Sequence, residues 1–174
     1  MIVPESLRKC VVFIGYRMDN GDMKFAGSAF FLGRSIGDHK SDFVHLITAK
    51  HVIERIRKHA LLHVWIRVNL KNGDSAWFAS ETSHWKYHTS DASVDVAVAP
   101  CGIPEDWDHL VLPDSMIGTP QQLAAKEISL GDELFVVGLF HRHTGARRNI
   151  PIVRIGNVAV IQAARSAGQS IVLN

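Results

Sequence analysis

The sequence predicts an all-β fold. Short runs rich in β-branched and aromatic residues recur along most of the 174 residues. Turn dipeptides, Asn20-Gly21 and Asn72-Gly73 above all, fall between those runs. Only one stretch has a convincing helical period. The first strand is expected over residues 10–17, with Asn20-Gly21-Asp22 turning the chain into a second strand over 23–33. Gly27 inside that second run suggests a bulge or a close backbone approach. A polar loop follows over 34–42, then a third strand over 43–49.

The helix is expected over residues 50–58, because Ala49, Val52, Ile53 and Ile56 repeat at i, i+3, i+4 and i+7. Thr48 is its expected cap, and Lys50, Glu54, Arg55, Arg57 and Lys58 form its solvent face. Strand character resumes over 62–70, turns at Asn72-Gly73 into 75–79, and returns over 94–99 before Pro100. Between 100 and 120 stand Pro100, Pro104, Pro113 and Pro120, so residues 101–131 read as a connection between two lobes without long regular elements. Strands are expected again over 133–140, 150–162 and 170–173. The domain division that follows is 1–115 and 116–174.

Composition sets broad limits. With 47% apolar and 21% charged residues, the chain is ordinary globular protein rather than a disordered one. The 19 basic and 17 acidic residues nearly cancel, which leaves no cationic field of the kind that nucleic acid selects. No uncharged apolar run reaches the roughly 18 residues of a membrane span, and the N-terminal stretch does not read as a signal peptide. A soluble, cytoplasmic protein is expected. Cys10 and Cys101 are too few for a disulfide framework and read as buried thiols.

Two residues stand out chemically. Asp95 lies in Val94-Asp95-Val96-Ala97-Val98-Ala99, a run apolar in both phases, which implies a strand buried on both faces. A carboxylate there needs hydrogen-bond partners, either catalytic or simply the backbone of a turn. His51 stands where the third strand passes into the helix, and a carboxylate would suit its imidazole. As one of 10 histidines it could equally be a plain surface residue.

Taken in order, several segments carry a family pattern. Gly27-Ser28-Ala29-Phe30-Phe31-Leu32 and Leu46-Ile47-Thr48-Ala49-Lys50-His51-Val52-Ile53 are two of them. The run from Trp85 to Val98, Gly131 to Gly138, and Arg154-Ile155-Gly156-Asn157-Val158 are three more. Together they resemble the trypsin-like, chymotrypsin-fold serine peptidases of the compact bacterial intracellular type, over about residues 10–168. The resemblance implies a chymotrypsin-like β-barrel followed by a second, truncated one. It also implies peptide-bond hydrolysis, with His51 as general base, Asp95 orienting it, and a serine as nucleophile beside two oxyanion-binding amides. It implies no cofactor, and a peptide or protein as substrate or ligand.

The family's serine motif, G-x-S-G-G-P or G-x-S-G-S-P, is missing. Ser170 in Gly168-Gln169-Ser170 is the nearest candidate, but Ile171 and Val172 stand where small residues let the backbone turn and the substrate approach. The chain then ends where the family continues with several strands. Three readings follow: a peptidase domain, a non-catalytic relative that binds a partner or a second copy through unpaired strand edges, or a truncated product of a longer reading frame. Asn72-Gly73-Asp74-Ser75-Ala76 mimics the serine loop but lies out of family order and reads as a hairpin turn.

No metal site is expected. His84 and His88 share a strand-like face but sit about 13 Å apart by strand rise, and His141 and His143 lack further ligands. The basic stretch 141–148 reads as a solvated loop between strands.

Overall fold

The structure is a computed structural model that describes residues 5–35, 42–140, 144–161 and 171–173. It is mainly antiparallel β with a few short helices, as the strand-and-turn pattern requires. After a short helix α1 (Glu5–Lys9), the first sheet is built from β1 (Val11–Arg17), β2 (Met23–Ser35), β3 (Asp42–Thr48), β4 (His63–Asn69), β5 (Ser75–Glu81), β6 (Lys86–Tyr87), β7 (Ala97–Pro100) and β8 (Leu112–Pro113). The helix α2 (Lys50–Lys58) interrupts it, on the residues that the period indicates. Strand order is β5-β4-β1-β2-β3-β7-β6, with β8 alongside β2 in parallel. The path is open: its end strands β5 and β6 are not paired with each other.

Turn chemistry sets the two long hairpins. Gly21 and Gly73 have φ of 88° and 92°, which an Asn-Gly turn supplies at no steric cost. In the first hairpin the register slips at Ile14/Gly15, so that Ile14 faces Gly27 and Gly15 faces Phe25. Ala26 is the extra residue of a bulge. Gly27 answers to both expectations for it. It adjoins the bulge, and a Cβ there would lie 2.9 Å from Val52 Cγ2 on α2. The missing side chain lets the helix rest directly on β2.

One face of the sheet holds the main core. Ile14, Phe31, Leu46, Val64 and Ala97 from five strands pack with Ile53 and Ile56 of α2, and with Trp85 and Trp107. Each large side chain buried this way contributes about 1.5–3 kcal/mol. The apolar stripe of α2 therefore anchors the helix, while its charged face stays in water. The helix ends with Ala60 in the left-handed region (φ 54°), a position that usually takes glycine. Ala60→Gly should raise stability by about 0.5–1 kcal/mol, because relief of the Cβ clash outweighs the added freedom of the unfolded chain. A thermal melt that falls instead would show that Ala60 is held by more than its backbone.

Residues 101–131 contain no long element, as the prolines indicate. The short helix α3 (Pro120–Ala125) is the longest, closed by a capping box between Thr119 and Gln122. The second sheet follows in the order β11-β10-β9, from β9 (Glu133–Gly138), β10 (Ile152–Ile161) and β11 (Ile171–Leu173). It presents apolar residues outward, Ile155 (67% exposed) and Val136 (38%) among them.

The stretch between β9 and β10 departs from expectation. Residues 141–143 lie outside the described residues. Residues 144–149 are a loop between strands that leaves Ala146 and Arg147 exposed, but the segment also lies as a strap against β4 and β5, with Asn149 buried. Arg67 is the reason. Its side chain leaves β4 on the face opposite the main core, beside Phe25, and is only 7% exposed. It donates to Ser75 Oγ (2.9 Å) and to the carbonyls of Thr144 (3.0 Å), Gly145 (3.1 Å) and Ala146 (3.3 Å). Burial pulls its pKa down, and no carboxylate among the described residues compensates its charge. Further along, Asn149 donates to Arg67 O (2.7 Å), while its amide donates to Asn69 Oδ1 (2.7 Å). Arg147 pairs with Asp74, and Arg148 with Asp108.

Among the described residues no helix is long and apolar enough to cross a membrane. Cys10 is buried and Cys101 half-buried, and burial raises both thiols, Cys101 to about 11.

Candidate active site

His51 and Asp95 meet, although 44 residues separate them. Asp95 Oδ2 lies 2.7 Å from His51 Nδ1, and Asp95 Oδ1 accepts the His51 backbone N–H at 2.8 Å. An ionised carboxylate only accepts, so Nδ1 carries a proton, and in the neutral imidazole Nε2 is then the nitrogen with the lone pair. Nε2 makes no hydrogen bond among the described residues. The imidazole is thus oriented from behind with its basic nitrogen presented outward.

The backbone bond corrects the expected helix cap. The N-cap position of α2 is Ala49, without a side-chain bond, and Asp95 serves instead from across the chain. It satisfies one of the free donors of the first turn and places negative charge where the helix end favours it. Thr48 turns the other way: its hydroxyl donates to Ser28 O at 2.7 Å, fixing the end of β3 to β2 just before the histidine.

The setting of Asp95 is a second correction. It is not on a doubly buried strand. β7 begins at Ala97, and the side chains of His51 and Asp95 are 58% and 53% exposed. The apolar run misled because only Ala97 and Ala99 of it reach the core, while Val96 is exposed. What holds Asp95 is a preformed loop. Asp91 N donates to His88 Nδ1 (2.9 Å), Ser93 donates twice to Asp91 Oδ1, and Lys50 Nζ reaches Ala92 O (3.1 Å). Sequence reasoning took Lys50 for a plain solvent-facing residue; only its place beside His51 could have hinted at this role.

An ion pair this exposed contributes at most about 1 kcal/mol to folding. Stability alone therefore gives little reason for so many contacts around it. The hydrogen bonds from the His51 ring and backbone amide hold the Asp95 carboxyl below its usual range. Its contribution is therefore complete above the unfolded value of about 3.9 and lost as pH falls through the lower folded value. An NMR titration should find the Asp95 midpoint below about 3.9 in the native protein and closer to it in His51→Ala. An unchanged midpoint would mean that the imidazole does not hold the carboxylate in solution.

Two grooves are floored by β2, and Asp95 lines the first of them. One, of about 370 Å3, is lined by Ser28, Ala29, Phe30, Ile47, Thr48 and Asp95 with Val96 and Val137. The other, of about 390 Å3, lies toward α2 and is lined by Lys24, Phe25, Gly27, Arg55 and Phe140 among others. Ser28 ties the two sheets together there, its hydroxyl donating to Leu139 O (3.0 Å) and accepting from Leu139 N (3.3 Å).

Ser170, the candidate nucleophile, lies outside the described residues, as do His141 and His143. His84 ends a 3-10 turn rather than lying on a strand, and sits 3.8 Å from Glu81; His88 caps the loop before Asp95. The described residues contain no group of three or more potential metal ligands. Ser75 is in the hairpin region, spanning Arg67 and the Arg147 carbonyl.

No protein-family model matches this chain, and neither does any curated protein.

Proposed function

We propose that the chain is a trypsin-like serine peptidase domain, in which the first sheet, although its strand path is open, corresponds to the barrel that carries His51 and Asp95 and the second sheet belongs to a shorter partner barrel. The observation that supports this most is the double clasp of Asp95 on His51, through the ring and through the backbone amide. In this chemistry His51 Nε2 removes the proton of the Ser170 hydroxyl as its oxygen attacks the peptide carbonyl. Asp95 stabilises the imidazolium that forms, and the same proton then passes to the departing amine. Water, deprotonated in the same way, releases the acyl group and restores the serine.

A fluorophosphonate probe tests the reading. Covalent labelling at Ser170, abolished in His51→Ala, is the expected result. A folded protein that takes no label overturns hydrolysis by this route.

A second reading is a non-catalytic module that binds a peptide or another copy in the same cleft. Ile171 and Val172 after Ser170 favour it, as do the outward Ile155 and Val136 of the three-stranded sheet. Absence of label together with peptide binding would select this reading.

A further inference from the structure

The groove on the α2 side has a chemical bias that the His51–Asp95 pair does not explain. Its walls are aromatic and aliphatic, from Phe13, Phe25, Leu139 and Phe140. Its rim carries two exposed cations, Lys24 from β2 and Arg55 from α2. Neither has a carboxylate partner among the described residues, and no acidic side chain lines the groove. Two more guanidiniums stand behind the aromatic wall, Arg154 over Phe140 at 4.0 Å and Arg67 over Phe25 at 5.9 Å. The nearby Glu54 leans toward Lys50 at 3.8 Å. The local field is therefore positive although the chain as a whole is nearly neutral.

Position and backbone narrow the ligand further. Arg55 lies one helical turn after His51, which places both on one side of α2. β2 pairs with β3 only from Phe30 onward, so the stretch before it has no strand on that side among the described residues. A volume of about 390 Å3 falls within the range of small-ligand sites and suits one or two side chains of an extended chain.

We infer that this groove takes an acidic peptide segment, with a carboxylate between Lys24 and Arg55 and an adjacent apolar or aromatic side chain against Phe25 and Phe140. The inference rests on the proposed peptidase reading and deepens it, since it names a peptide class for the groove on the α2 side, but it requires no nucleophile.

The carboxylate could come from a Glu side chain or from a chain terminus, and the test separates these. Three fluorescent short peptides are compared by anisotropy: a blocked one with a Phe-Glu pair, its Phe-Gln twin, and a Phe-Gln form with a free C-terminal carboxylate. The Phe-Glu peptide or the free-carboxylate peptide, or both, should bind about ten- to a hundredfold more tightly than the blocked twin. The preference should shrink as salt is raised. Lys24→Glu/Arg55→Glu should abolish it and favour a Phe-Lys peptide instead; both side chains are exposed, and circular dichroism confirms the fold. All arms are repeated in His51→Ala, where the preference should persist, so that failure of hydrolysis and failure of recognition are separate results. Equal binding of the acidic and neutral peptides, no binding of any, or insensitivity to the double charge reversal overturns the inference. So does a preference for anionic vesicles or oligonucleotides without peptide discrimination.

Discussion

Arg67→Met should lower the unfolding free energy by about 2–4 kcal/mol and release the strap over residues 144–149. Two effects compete. Removing a buried guanidinium that has no carboxylate partner among the described residues recovers its desolvation cost, which favours the variant. Against this, three successive carbonyls and the Ser75 hydroxyl lose their donor in a site that methionine fills but cannot hydrogen-bond. The second effect should win, because the carbonyls of Thr144 and Gly145 are only partly open to water and the strap's other anchors lie farther along, at Arg147, Arg148 and Asn149. Urea denaturation reads the loss, and hydrogen exchange at 144–149 shows whether it is local. Arg67→Lys keeps the charge but not the planar fork, and should restore less than half. A midpoint unchanged in Arg67→Met would mean that the strap is held elsewhere.

Asp95→Asn should leave the fold intact and slow fluorophosphonate labelling by about 10^4, under the proposed chemistry. The amide oxygen of asparagine can still accept the His51 backbone N–H, so α2 keeps its cap. Its NH2 then faces Nδ1, which must accept rather than donate. The proton moves to Nε2, and the imidazole can no longer take one from serine. Asp95→Ala separates the two roles, because it removes the cap as well and should cost a further fraction of about 1 kcal/mol in stability. Equal labelling of the native protein and Asp95→Asn would remove Asp95 from the chemistry while leaving its capping role in place.

Much of this architecture is legible in the residues themselves. Asn20-Gly21 and Asn72-Gly73 mark hairpins because their backbone demands are local. The stripe of Val52, Ile53 and Ile56 marks α2 because a helix buries one face wherever it docks. The meeting of His51 with Asp95 is expected only through the family resemblance; their spacing alone does not imply it. What cannot be read are partners fixed by the tertiary structure. Arg67 alternates with Ile66 and Val68 as any outward strand residue would, and nothing near it announces a strap arriving from residues 144–149. Asp95 reads as buried because an apolar run looks the same whether or not it forms a strand. Thr48 has the side chain of a cap, but the carbonyl of Ser28 competes for it and wins.

Ser28 carries a mechanical consequence. Its hydroxyl grips Leu139, at the end of the second sheet, and its carbonyl holds Thr48, three residues before the histidine. Tilting of the three-stranded sheet would thus be felt at this residue, as well as at the ties of residues 144–149, and would pull directly on the segment that aims the imidazole. Ser28 makes the smaller sheet a lever on the larger one.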